Sequence, residues 1–151
     1  INMLDFLKKF KKKDIETVDT SEKNTLIVSI LIEAAKSDGE FSEEEIDKII
    51  FIIKNKLKLD DKAANELFYS TLELNQDNVE MYSITKDIRD NFDTEEIKNV
   101  VKLIWYVVLS DGHIDDFEAS LMTKLTGLFH LTGKDSAEIK QKAEIDLGIK
   151  V

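Results

Sequence analysis

The chain has no proline and no cysteine, and only five of its 151 residues are glycine. Proline and glycine are the chief interrupters of regular structure, so their scarcity favours helices joined by short turns. The absence of cysteine excludes disulfides, thiolate metal centres and cysteine nucleophiles. Arginine is nearly missing too, since Arg89 is the only one. With a formal net charge of −10, the body lacks the clustered basic face that phosphate backbones require, which argues against nucleic acid as a partner. No uninterrupted apolar run approaches the roughly 18 to 20 residues of a membrane span. No apolar leader with a small-residue cleavage site opens the chain, so a cytoplasmic location is expected.

A hydrophobic content of 42% over 151 residues supplies one ordinary core. The charges are unevenly spread. Lys8, Lys9, Lys11, Lys12 and Lys13 crowd the first thirteen positions against Asp5 alone, leaving 16 basic and 30 acidic residues in the rest. Leu4, Phe6, Leu7 and Phe10 alternate with these lysines at helical spacing, the pattern of a short interfacial amphipath. Residues 1–21 are therefore expected to form a basic amphipathic segment and linker ahead of a helical domain at 22–151. The segment's expected roles are a solubilising lead-in, or a contact of residues 3–13 with a docking partner or, peripherally, with the inner membrane. Residues 14–24 are polar and predict the linker, with Thr20 or Ser21 capping the next helix.

One stretch occurs twice. Ser37-Asp38-Gly39-Glu40-Phe41-Ser42-Glu43-Glu44-Glu45 returns 73 positions later as Ser110-Asp111-Gly112-His113-Ile114-Asp115-Asp116-Phe117-Glu118. Each copy follows a strongly apolar run and precedes an amphipathic one. The glycine stands where a helix would end, because it alone enters the left-handed conformation without steric cost. Ser42 and Asp115 are placed to cap the following helix, with Glu45 and Glu118 at capping-box spacing. Each copy thus predicts helix, tight turn, helix.

The apolar runs at 26–35 and 100–109 are hydrophobic on every side and predict two central buried helices. The second is preceded by the start signal Asp93-Thr94-Glu95-Glu96. Ile46, Ile49, Ile50, Ile53 and Leu57 form one apolar stripe. Ala63, Leu67, Phe68 and Leu72, behind Asp60, form another. Tyr82, Ile84, Ile88 and Phe92 mark a helix over 79–92, and Leu121, Met122, Leu125, Leu128 and Phe129 mark the one after the second turn. Gly133-Lys134-Asp135-Ser136 begins a last and weakest helix through Ala137, Ile139, Ala143 and Leu147. The predicted fold is all-α, with six to seven helices in two pseudo-symmetric helix-turn-helix units around a buried central pair. Trp105 and Tyr106 belong to that core.

Each turn looks like half of a calcium loop, with glycine at position 6 and glutamate at position 12. Positions 1 and 3 would be Ala34 and Lys36, or Val107 and Leu109, which cannot ligate, so neither is an EF-hand. Two facing turns would pool Asp38, Glu40 and Glu45 with Asp111, Asp115 and Glu118. Converging carboxylates repel one another, which favours either a divalent cation, calcium or magnesium, or their separation into helix caps. His113 is a candidate zinc or manganese ligand, and His130 is expected to close its helix. Ser110, Asp111 and His113 cannot form a triad, whose members meet through the fold.

The pair Asp38-Gly39-x-Phe41-Ser42-x-x-Glu45 and Asp111-Gly112-x-Ile114-Asp115-x-x-Glu118 resembles the TerB family, the tellurite-resistance-associated helical domain that is similar to the N-terminal domain of DjlA-type co-chaperones. The resemblance spans about 22–147. It implies an all-α, internally pseudo-symmetric domain serving stress-response or envelope-associated assemblies, with no defined reaction. Lys36-Ser37 and His113 depart from the usual pattern. A J-domain is excluded, since its His-Pro-Asp needs proline. The expected function is a non-enzymatic interaction module with a protein partner, acting through the acidic surface around the turns. A divalent-metal-binding protein using the same carboxylates is the alternative.

Overall fold

Helix α1 runs without a break from Met3 to Lys36, about 51 Å at the rise of an α-helix. No glycine or proline lies among its residues, so nothing in the chain interrupts it. The polar stretch expected as a linker is therefore helical backbone, and Thr20 and Ser21 lie inside the helix instead of starting it. A residue of capping type starts a helix only where the backbone before it is non-helical. The computed structural model describes residues 3–36, 41–77, 80–111 and 114–149, with side chains for all of these except residues 3–19, Asp77 and Asp111.

The described residues contain α2 (Glu43–Lys56), α3 (Asp61–Leu74), α4 (Met81–Asn91), α5 (Thr94–Val108), α6 (Asp116–Leu128) and α7 (Gly133–Asp146) after α1, and no strand. Side-chain caps explain most of the starts. Ser42, Asp60, Asp93, Asp115 and Thr132 each accept a hydrogen bond from the amide three residues on. Such a cap contributes about 1 kcal/mol. At α7 the cap is Thr132, one residue before the expected start, and Asp135 completes a capping box.

α1 and α5 are the expected central pair. They run parallel: Lys23 pairs with Glu96 at 2.9 Å near one end, and Ala34 and Ala35 lie by Val107 and Val108 at the other. Ile30, Leu31 and Ile32 of α1 and Val101 and Ile104 of α5 are fully buried. Burying one such side chain contributes about 1.5 to 3 kcal/mol. α3 and α4 lie against α1, α2 packs on α3, α1 and α5, and α7 packs along α5. The last helix was expected to be the weakest, yet its Ile139 and Ala143 are buried in this contact.

Two helices end on left-handed residues that are not glycine. Lys58 follows α2 with φ 55° and His130 follows α6 with φ 58°. The amides of Leu59 and Leu131 return to the carbonyls of Lys54 and Thr126, closing both ends in the Schellman manner. His130 thus does close its helix, and its Nε2 lies 3.3 Å from Arg89 Nη1.

Candidate functional site

The described residues flanking the two repeated turns meet. Parallel packing of α1 and α5 brings their C-terminal ends side by side, and each turn leads into a helix that starts beside the other. A crevice of about 130 Å³ results, lined by Ala34 and Ala35 of α1, Ser42, Glu44, Glu45 and Lys48 of α2, Val107, Val108 and Ser110 after α5, and Glu118 of α6.

Within it, Glu45 and Glu118 hold equivalent places, each the third residue of its helix and each half-buried. At α6 the capping box is complete: Asp115 Oδ1 accepts the Glu118 amide at 2.7 Å, and Glu118 Oε1 accepts the Asp115 amide at 3.2 Å. At α2 the return bond differs, since Glu45 Oε1 accepts from the Ser42 hydroxyl at 3.2 Å. A carboxylate at a helix N-terminus also meets the positive end of the macrodipole. Local capping therefore accounts for how each of these acids is held.

Of the six acids expected to gather, the structure brings Glu45 and Glu118 to one crevice. Asp115 faces the other flank of α6, beside Ile114 and Trp105. Asp38, Glu40, Gly39, Gly112 and His113 lie outside the described residues, and of Asp111 only the backbone, at the end of a short 3-10 turn, is described. Among the described residues no group of three or more metal-ligating side chains comes together.

Lys48 and Ser110 belong to the site and were not foreseen. The signal for Lys48 was present: Ser42, Glu45 and Lys48 recur at three-residue spacing, which sets them on one helical face. The same two residues also border a second, apolar groove of about 550 Å³ with Phe51, Ile52, Tyr106 and Leu147. Phe51 is 67% exposed there. The crevice and the groove form one continuous surface, acidic at one end and apolar along α2.

Residues 24–141 match the family described as tellurite resistance protein TerB. The chain belongs to the TerB family. The match takes in both turns and every helix from the buried part of α1 to most of α7, which accords with the all-α fold. No curated protein and no solved structure matches this TerB-family chain significantly. Among its described residues, no helix is long and apolar enough to cross a membrane.

Proposed function

We propose that this tellurite-resistance-associated helical domain is a non-enzymatic interaction module of a stress-response or envelope-associated assembly, and that it captures a basic amphipathic segment of a protein partner. The observation that carries the reading is the continuity of the acidic crevice with the apolar groove through Lys48 and Ser110. A helix with lysines at one end and a leucine or phenylalanine stripe would satisfy both halves. Salt would weaken the charged half. The basic residues 3–13 provide a second contact, to a partner or to the inner membrane from the cytoplasmic side.

Isotope-labelled chain titrated with an amphipathic Leu/Lys peptide tests this. Amide shifts should centre on Glu45, Phe51, Ser110 and Glu118 and diminish as salt rises. Shifts confined to other faces, or unaffected by salt, would overturn the reading.

The place of Glu45 and Glu118 on one crevice also favours a second reading, in which these two, with Asp38, Glu40 and Asp111 of the same turns but without Asp115 on the other flank of α6, hold a calcium or magnesium ion. A cation at 100 times its Kd would stabilise the fold by about 2.7 kcal/mol. Equal melting temperatures in calcium, magnesium and chelator would end it.

A further inference from the structure

α2 turns one face outward along the apolar groove. Asp47, Lys48, Phe51, Ile52, Asn55 and Lys56 recur at the spacing of successive helical turns and form one wall, about 14 Å long at the rise of an α-helix. The end of α7 forms the other wall through Asp146 and Leu147. Phe51 is 67% exposed and Leu147 41% exposed. Two large apolar side chains left open on the two walls of one groove suit the apolar stripe of an incoming helix.

The charges restrict what fits there. The groove and the crevice that continues it are lined by five acids, Glu44, Glu45, Asp47, Glu118 and Asp146, against two lysines. Glu44, Glu45 and Glu118 stand at the crevice end, beside the start of α2. Lys56 stands at the other end, its ammonium 5.1 Å from the centre of the Tyr106 ring. A complementary segment carries apolar residues toward Phe51 and positive charge toward the start of α2. Residues 3–13 of this chain have that order. Leu4, Phe6, Leu7 and Phe10 come first, and Lys11, Lys12 and Lys13 end the run. As a helix, Leu4 to Lys13 has the same length of about 14 Å as Asp47 to Lys56.

A chain cannot fill its own groove in this way. α1 is one helix from Met3 to Lys36, with no glycine or proline to bend it. Ala34 and Ala35 line the crevice, so Lys13 lies about 30 Å away from it along the helix axis. We propose, on the reading that crevice and groove take a basic amphipathic segment, that this segment is residues 3–13 of a second copy of the chain, laid antiparallel to α2. The arm is already helical, which lowers the ordering cost of docking. Arm and groove occupy different parts of the surface, so copies join head to tail and extend into open chains unless the rotation closes a ring. One short helix covers little area, so the contact is weak and shows at high concentration.

Sedimentation velocity of the full chain at rising concentration tests this. The average mass should climb past that of a dimer and fall back as salt is added. Leu7→Glu with Phe10→Glu disables the arm, and Phe51→Glu disables the groove at a residue already facing water. Each variant should remain folded by circular dichroism and associate at least about tenfold more weakly. Mixed in equal amounts, the two should recover association but stop at the dimer, since only one intact arm then meets one intact groove. A mixture that stays monomeric, or self-association that persists in either variant, overturns the proposal. Arm-dependent binding to vesicles of anionic lipid without self-association overturns it in favour of a membrane. If the native chain stays monomeric while a Leu/Lys peptide still shifts Glu45 and Phe51, the arm is not the occupant and the wider reading stands. If that peptide also fails, both fall.

Discussion

The Tyr106 hydroxyl donates to Asp146 Oδ2 at 2.5 Å, joining the end of α5 to the end of α7 across 40 positions. Lys102 lies 3.5 Å from the same carboxylate, and the Lys56 ammonium stands 5.1 Å from the centre of the phenol ring. Burial, and then the bond to Asp146, raises the Tyr106 pKa above that of an ordinary phenol. The Tyr106 bond, followed by the field of Lys102, lowers that of Asp146.

Acid should loosen the molecule at these joints. Asp146, Asp135 and Glu96 all have lowered pKa values in the fold, Asp135 and Glu96 chiefly through the backbone amides they cap. A depressed folded pKa contributes stability above the unfolded value, and that contribution is lost as pH falls through the folded value. The melting temperature should therefore decline below about pH 4, the ordinary carboxylate range. In Asp146→Asn the decline should be shallower, because one of the three contributions is already gone. An identical acid profile would show that the Tyr106 bond does not hold Asp146 ionised.

Ser29 interrupts the apolar run of α1, and its reason lies in a residue 46 positions away. Its hydroxyl donates to Asn75 Oδ1 at 3.0 Å, while Asn75 Nδ2 donates to the Ser29 carbonyl at 3.2 Å and to Glu33 Oε2 at 3.1 Å. Asn75 is 4% exposed. Asn75→Ala leaves buried groups unpaired and should cost about 2 to 4 kcal/mol in chemical denaturation. Asn75→Asp should cost at least as much, because it sets a second carboxylate against Glu33. A loss under about 0.5 kcal/mol, the size of an ordinary surface change, would show the network to be idle.

Lys58 is exposed and holds a left-handed φ of 55°. A side chain in that conformation costs about 1 kcal/mol, which glycine avoids. Glycine also gains unfolded-state freedom, so Lys58→Gly should stabilise by only about 0.5 kcal/mol in thermal melts. Lys58→Val, with a branched Cβ at positive φ, should destabilise clearly. If valine and glycine melt alike, the turn does not constrain this residue.

Much of the architecture was legible along the chain because it rests on local rules. Asp60, Asp93 and Asp115 announce helix starts by the groups they present to the next three amides, and the runs at 26–35 and 100–109 are too apolar to face water. The unbroken α1 was misjudged because Thr20 and Ser21 carry a capping chemistry that acts only outside a helix. Lys48 at the crevice was missed for a different reason. A lysine on a polar helical face has the same local signature whether it meets solvent or a neighbouring helix.

The sequence by itself determined an all-helical chain, its buried pair and its repeated acidic turn, because helical periodicity and capping act over three or four residues. The tertiary structure alone decided that α1 and α5 run parallel, so that Glu45 and Glu118 share one crevice. It alone decided that the end of α7 comes beside α2, so that Phe51 and Leu147 border one groove. Those outcomes depend on which side chains fill the space between elements far apart in the chain, and packing of that kind has no local periodicity to display.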